Sequence, residues 1–371
     1  MLDNLLIKVD ELKASDLYIS VGLPPTMKLN GLLEAINDHI LTNAEVFELI
    51  KEVMDENHLS EFMIIKESNF AYHSGNGKRF RISAFMQKGQ PAMVLRRIET
   101  QIPDFSEINL PERLKDVCLA KEGLILFVGA TGVGKSTTQA AMIGFRNQHS
   151  CDHILTIEDP IEFIHEHGKS VITQREIGVD TGSLDEALKN SLRQAADVIV
   201  VGEIRTRKTM EFVLSFAETG HLCMATMHAK NANQALDRIL HLVPQENHRQ
   251  FLFDLSVNLR AIVAQQLIPT KDGKGRRAAF EILYNTPTMA EAIRTGELHT
   301  LKQIMKSSAQ HGMQTFDQAL FDLYESGMIG YTEALAYSDS ANDVRLMIKL
   351  KSAQEQRNLD GGKLSDVTVD F

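Results

Sequence analysis

Apolar residues divide the chain into stretches with different periods. In the first hundred residues the runs are short and broken by turns. Residues 17–21, a Gly22-Leu23-Pro24-Pro25 turn and residues 27–29 predict two strands. Thr42-Asn43-Ala44-Glu45 has the form of a capping box, and Val46, Leu49, Ile50, Val53 and Met54 follow at helical spacing. Residues 70–73, 80–86 and 92–98 lie around Gly75-Asn76-Gly77 and similar turns, predicting antiparallel strands. Residues 99–120 carry Pro103 and Pro111 and little periodicity before Leu114, which predicts a connection. From Gly123 the pattern changes: continuous apolar runs at 124–128, 154–157, 198–201 and 222–226 alternate with helical stretches, the pattern of a sheet with crossover helices. Ser183-Leu184-Asp185-Glu186 opens one such helix; Met210, Val213, Leu214 and Ala217 form one face of another, which stops near Gly220. After Pro244 the spacing predicts mainly helix, over 245–265 and then within 288–306, 314–326 and 332–350. The tail from Ser352, with Gly361-Gly362, is polar and expected to be disordered.

Composition narrows the class. At 371 residues, 43% hydrophobic and 24% charged, the chain has the length and make-up of two or three globular domains. No apolar run approaches the roughly 18 residues that cross a bilayer. The first residues, MLDNLLIKVDELKASD, mix acids with apolar positions and do not read as a secretory signal. Cys118, Cys151 and Cys223 are scattered, which fits a reducing cytoplasm and argues against a four-cysteine zinc element. A net charge of −10 weighs against sequence-blind nucleic-acid binding.

The chemistry concentrates in the middle of the chain. Gly129-Ala130-Thr131-Gly132-Val133-Gly134-Lys135-Ser136 is a complete GxxxxGK[ST] phosphate loop between an apolar strand and a helix. Its glycines let backbone N–H groups close on phosphate oxygens, Lys135 reaches the β- and γ-phosphates, and the Ser136 hydroxyl holds Mg²⁺. Residues 198–201 form an apolar strand with Glu203 just beyond its carboxyl end, where open α/β sheets bind ligands and a second Mg²⁺ or water partner is needed. Between them, Glu158-Asp159-Pro160-Ile161-Glu162 gathers three carboxylates after a strand. Such a cluster calls for a cation, and Mg²⁺ is the natural one, unless the segment is a solvated turn. His221 and His228 stand at the two ends of another strand, roughly 20 Å apart, too far to share a metal. A neutral His donating to a γ-phosphate or a carboxylate is the favoured role, with a plain hydrogen-bonded histidine equally open for His221. His149, His153, His165 and His167 lack metal spacing and read as surface residues.

These motifs, GATGVGKSTT, TIEDPIEF, VIVVGEIR and TGHLCMATMHAKNA, resemble the type IV pilus twitching-motility ATPases of the PilT/PilU group, within the secretion-ATPase superfamily. The likeness runs from SDLYISVGLPP to GMQTFD, all but the tail. It implies an α/β fold with a PAS-like N-terminal domain over 1–100, a linker over 101–120, a RecA-like ATPase domain over 121–290, a helical part over 291–350 and the tail from 351. It also implies ATP and Mg²⁺ as cofactors, the nucleotide loop extending through Thr137. Glu162 then matches the Asp-box glutamate, Glu203 the Walker B glutamate and His228 the His-box residue that senses the nucleotide. Ser136, Glu158, Asp159 and Glu203 are the expected Mg²⁺ ligands, partly through water. Arg81 and Arg96 match basic residues that reach phosphates across a domain or subunit boundary. Expected partners are five further copies in a ring, a PilT-type retraction ATPase and an inner-membrane platform protein, at the cytoplasmic face of that membrane, with no nucleic acid and no structural zinc.

Three departures from the pattern stand out. Thr206 replaces the acid after Arg205, and Tyr18 replaces the histidine of the SDLHL opening. The AIRNLIRE box of retraction motors reads Thr288-Met289-Ala290-Glu291-Ala292-Ile293-Arg294-Thr295, keeping only the second arginine, which with the tail favours the PilU-type branch. The alternatives are a pilus-assembly or type II secretion ATPase, which typically carries the zinc element this chain lacks, and, more remotely, a RecA-type DNA translocase. A nucleotide-binding module without turnover is disfavoured by Glu162 and Glu203.

Overall fold

The computed structural model describes residues 2–29, 31–98 and 101–352. The tail beyond Ser352 lies outside them. By contacts the chain divides into two compact units, Met1–Ile102 with Glu162–Ile164, and Pro103–Ile161 with His165–Phe371.

The first unit contains α1 (Leu2–Glu11), β1 (Asp16–Ser20), β2 (Thr26–Leu29), β3 (Leu32–Ala35), α2 (Asn43–Val53), α3 (Glu56–Ile65), β4 (Glu67–His73), β5 (Arg79–Gln87) and β6 (Gln90–Ile98). Its six strands form one antiparallel sheet in the order β3-β2-β1-β6-β5-β4. Leu5, Leu6 and Val9 of α1 and Val46, Leu49 and Ile50 of α2 share one buried core with Ile19, Phe80, Ile82 and Leu95 of the sheet. The capping box at Thr42 is complete: its hydroxyl accepts from the Glu45 N–H, and the Glu45 carboxylate accepts from the Thr42 N–H. This sheet with helices fits the PAS-like expectation; α1, α3 and the edge strand β3 are additions to it.

The second unit begins with α4 (Leu114–Cys118), then β7 (Gly123–Val128), α5 (Lys135–His149), β8 (His153–Glu158), β9 (Val171–Glu176), α6 (Leu184–Ser191), β10 (Val198–Val201), α7 (Arg207–Glu218), β11 (Leu222–Met227), α8 (Ala232–His241) and α9 (His248–Asn258). It continues with β12 (Leu259–Pro269), β13 (Arg276–Tyr284), α10 (Pro287–Thr295), α11 (Leu301–Ser307), α12 (Phe316–Glu325), α13 (Tyr331–Ala336) and α14 (Ala341–Lys351). Seven strands pair in the order β13-β12-β7-β11-β10-β8-β9, all parallel except β13. Every residue of β7, β10 and β11 is buried, as a sheet covered on both faces requires. Strand β11 stands between the phosphate-loop strand β7 and the Glu203 strand β10, the RecA-like arrangement.

Two expectations are corrected. Helix over 245–265 stops at Asn258; Leu259-Arg260-Ala261-Ile262-Val263-Ala264 instead runs parallel to β7, and β13 turns back against it. A buried apolar run has no period that separates strand from helix, so the choice falls to the long-range partner. Residues 103–120 are not a free connection: Phe105, Leu110, Leu114 and Cys118 are buried in the core of the second unit. Helices α10, α11, α12 and α14 bury Met289, Ile293, Met305, Leu320, Val344 and Ile348 in that same core, so the C-terminal helices and the sheet are one body.

Candidate nucleotide site

The carboxyl edge of the parallel sheet carries the candidate site. Strand β7 ends at Val128 and the phosphate loop turns into α5, whose cap is Gly134 at φ +92°. Glycine is required at Gly129 by close approach to backbone, and at Gly134 by its positive φ. A Cβ on Gly129 would lie 2.7 Å from the Gln265 carbonyl oxygen, and one on Gly134 would lie 2.9 Å from Gln265 Nε2. The buried Lys135 ammonium donates to the carbonyls of Gly129 (2.9 Å) and Ala130 (2.8 Å), which holds its charge inside the loop. Half-buried Ser136 and Thr137 begin the helix, where unpaired amides and the helix dipole favour an anion. Ala130, Thr131, Gly132 and Val133 form the crest, with Thr131 and Gly132 exposed.

Gln265, on β12, is a residue sequence reasoning missed. It is buried, and its Oε1 accepts from the Thr138 hydroxyl at 2.7 Å, one turn into α5. One side chain thus braces the helix while its backbone closes on Gly129. The signal was a polar pair, Gln265-Gln266, in an apolar run, and it became readable only with β12 recognised as a strand beside β7.

Strand β10 delivers Glu203 next to β11. Gly202 leaves little room for a side chain, since its Cβ would stand 3.3 Å from both Glu158 Cα and the Ile157 carbonyl oxygen, so the ends of β8 and β10 meet closely. The Thr226 hydroxyl donates to the Gly202 carbonyl, and the Ile204 N–H to the Thr226 carbonyl at 2.9 Å, fixing this turn against β11. Glu203 then meets two partners: His228 Nε2 lies 3.1 Å from Oε1, and Arg205 Nε donates to Oε2 at 2.8 Å. The hydrogen bond and charge of Glu203, helped by Asp159, hold the Arg205 guanidinium above its ordinary value. Arg205 is therefore a cation standing among the acids. His228 follows β11 directly, and Arg238 of α8 donates to its carbonyl at 2.9 Å. His221, at the other end of β11, bonds through Nδ1 to the Phe216 carbonyl and the Thr219 hydroxyl, both at 3.1 Å, and takes the structural role.

Glu158 Oε1 accepts from the Thr156 hydroxyl (2.6 Å) and Gln174 Nε2 (3.2 Å), and Asp159 is exposed. Glu162 is exposed, in the segment that groups with the first unit. The chain before it is held by the buried Glu176, which accepts from the Ile161 N–H at 3.1 Å. Arg81 is exposed on β5, cross-strand from Arg96 on β6. Arg96 Nε donates to the buried Asp16 at 2.8 Å while most of its side chain faces solvent. Among the described residues, no three or more His, Cys, Asp or Glu side chains gather as a metal-binding group. Mg²⁺ is compatible with that: it keeps several waters and binds through phosphates plus one or two oxygen ligands, and Ser136 and Glu203 offer hard oxygen donors. The His228 ring at 3.1 Å and the Arg205 guanidinium at 2.8 Å leave the Glu203 carboxylate able to orient a water once either partner moves.

A phosphate loop on a RecA-like sheet, with an acid and a histidine at the ends of the next two strands, defines a P-loop nucleotide-binding protein. The chain belongs to the type II/IV secretion system protein family, whose model matches residues 2–336. It is 55% identical to the type IV pilus ATPase PilU of Pseudomonas aeruginosa, over 96% of this chain and 94% of the relative. It is 38% identical to the type IV pilus retraction ATPase PilT of the same organism, over 86% and 93%. The solved structure of the pilus retraction motor PilT with bound ADP superposes with a TM-score of 0.88 at 35% identity, covering 93% of this chain and 99% of that one.

Proposed function

We propose that this chain is an ATPase motor of the type IV pilus, turning ATP hydrolysis into pilus retraction and twitching motility. The observation that carries the reading is the alignment, at one sheet edge, of the Lys135 loop with the Glu203–His228 pair. The 55% identity to PilU over nearly the whole chain supports the pilus role. Lys135 and the first amides of α5 bind and orient the phosphates; Glu203, with Glu162, polarises the attacking water; His228 reports the state of the phosphate to β11. Mg²⁺, held by Ser136 and Glu203 with Glu158 and Asp159 near, would neutralise phosphate charge.

The working form is a hexamer, with Arg81 and Arg96 reaching phosphates from a neighbouring subunit, as trans-acting arginines do in other phosphoryl-transfer enzymes. It works at the cytoplasmic face of the inner membrane, against the platform protein, beside a PilT-type ATPase. The altered box on α10 favours this accessory role. Arg294 is bound to Glu291 on the exposed helix surface, and Ala290 stands where the related motors carry arginine. A planar five-donor fork has no substitute in a methyl group.

The test has two levels. Purified protein should hydrolyse ATP in a Mg²⁺-dependent way, and mixed rings of Arg81→Ala and Glu203→Gln chains should regain activity that neither has alone. In cells, imaging labelled pili with this chain as the only retraction ATPase should show rare retraction, restored by a PilT-type partner. Frequent retraction without that partner would contradict the accessory role.

A further inference from the structure

Glu281 is a buried carboxylate, 2% exposed. It lies on β13 opposite Ala264 of β12. Its Oε1 accepts from the Ala232 N–H at 2.8 Å, the first amide of α8. The Phe316 N–H, the first amide of α12, also lies against this carboxylate and favours its ionised form. First-turn amides lack partners inside their own helices, so one side chain closes the ends of two helices.

Both helices lead elsewhere. From α8, Arg238 donates to the His228 carbonyl at 2.9 Å, and Asn233 Nδ2 to the Leu298 carbonyl at 2.6 Å. From α12, the fully buried Asp317 accepts from the Asp339 and Ser340 N–H groups at 2.9 and 3.2 Å, at the start of α14. Lys302 of α11 spans Asp317 at 3.3 Å and Asp339 at 2.9 Å. A continuous set of hydrogen bonds, ion pairs and electrostatic contacts therefore runs from His228 through Glu281 to the C-terminal helices.

We propose that Glu281 is a positioning residue for the nucleotide site, tying α8, and through Arg238 the backbone of His228, to helices α11, α12 and α14. Contact between His228 and Glu203 and the placement of the C-terminal helices are then mechanically linked. The inference rests on the ATPase reading above. Burial pushes the Glu281 carboxyl up to about 7; the Ala232 and Phe316 amides and Lys302 oppose the rise, and Asp339 adds to it. The ionised form accepts on both oxygens, whereas the protonated form gives up one acceptor position to its own proton. The link is tightest above neutrality.

The experiment is a kcat and KM profile for ATP between pH 6 and 8.5, with Glu281→Gln beside the wild type. In the wild type kcat should rise through pH 7. In Glu281→Gln that rise should vanish, kcat at pH 8.5 should fall about fivefold, and KM should stay within about twofold, because binding belongs to the phosphate loop. An unchanged profile, or equal losses in kcat and affinity, would overturn the proposal. A second arm does not need turnover: hydrogen exchange of the full-length chain with Glu281→Ala. Helices α8 and α12 should both exchange faster, with α5 unaffected. Loosening of only one helix, or of neither, would overturn the proposal. Absence of wild-type hydrolysis would count against the ATPase reading, and the exchange arm would still decide the tie.

Discussion

Two histidines flanking one strand differ in what the two edges of a parallel sheet give them to bond. His221 stands at the amino end of β11, its Nδ1 taken by the Phe216 carbonyl and Thr219 hydroxyl, its ring against Phe216 at 6.2 Å. It closes the carboxyl end of α7, where unpaired carbonyls need donors. His228 stands at the carboxyl end, where its partner is the side chain of Glu203 and its own carbonyl is held by α8. The first makes local bonds to the segment just before it. The second reaches across to another strand, at the edge where the phosphate loop also ends. The same residue type fastens a helix at one edge and meets the Glu203 carboxylate at the other.

The strongest way to break this comparison is to remove each ring. His228→Ala should lower ATP turnover at least tenfold with modest change in affinity, the size expected for losing a positioned proton-bearing group. His221→Ala should leave turnover within about twofold. Equal effects on turnover, measured by steady-state phosphate release, would erase the distinction.

A smaller effect sharpens the account of the loop. Thr138→Val removes one side of the buried bond to Gln265 and should weaken nucleotide binding about fivefold; Gln265→Leu should do the same. Combined, the two should cost less than their sum, with a coupling on the order of 1 kcal/mol, read by titrating a fluorescent ATP analogue. Full additivity would mean that Gln265 acts through its backbone alone.

Stability should also depend on pH through Glu281. Its folded value, about 7, is raised above the ordinary 4.5, so the folded chain binds the extra proton more tightly than the unfolded one. Stabilisation is full below about pH 4.5 and is lost as pH rises through 7. Denaturant melts should show Glu281→Gln losing less stability than the wild type between pH 5 and 8. Smaller still, His221→Ala should cost about 1 kcal/mol for its local hydrogen bonds. Arg294→Ala should change stability by less than about 0.5 kcal/mol, since its pair with Glu291 is exposed.

What the chain revealed beforehand follows the range of the forces involved. The phosphate loop, the apolar runs of β8, β10 and β11 and the capping box at Thr42 are written in patterns a few residues long, and they were legible. The roles of β12 and β13 depend on pairing with β7 and with each other, more than a hundred residues away in the case of β7, and period alone did not reveal them. Gln265 and Glu281 are polar side chains inside those two strands, so they stayed hidden for the same reason. Arg205 was visible as a residue after Glu203, but its place as the cation beside Glu203 and Asp159 needed the turn that follows β10.

The central claim is that the carboxyl edge around Glu203 hydrolyses the nucleotide that the Lys135 loop binds. Its most direct test measures binding and single-turnover hydrolysis of ATP side by side in Glu203→Gln. The account predicts affinity within about threefold of wild type and hydrolysis slower by at least tenfold, because the amide keeps the shape and loses the carboxylate. Hydrolysis at the wild-type rate in that variant would contradict it.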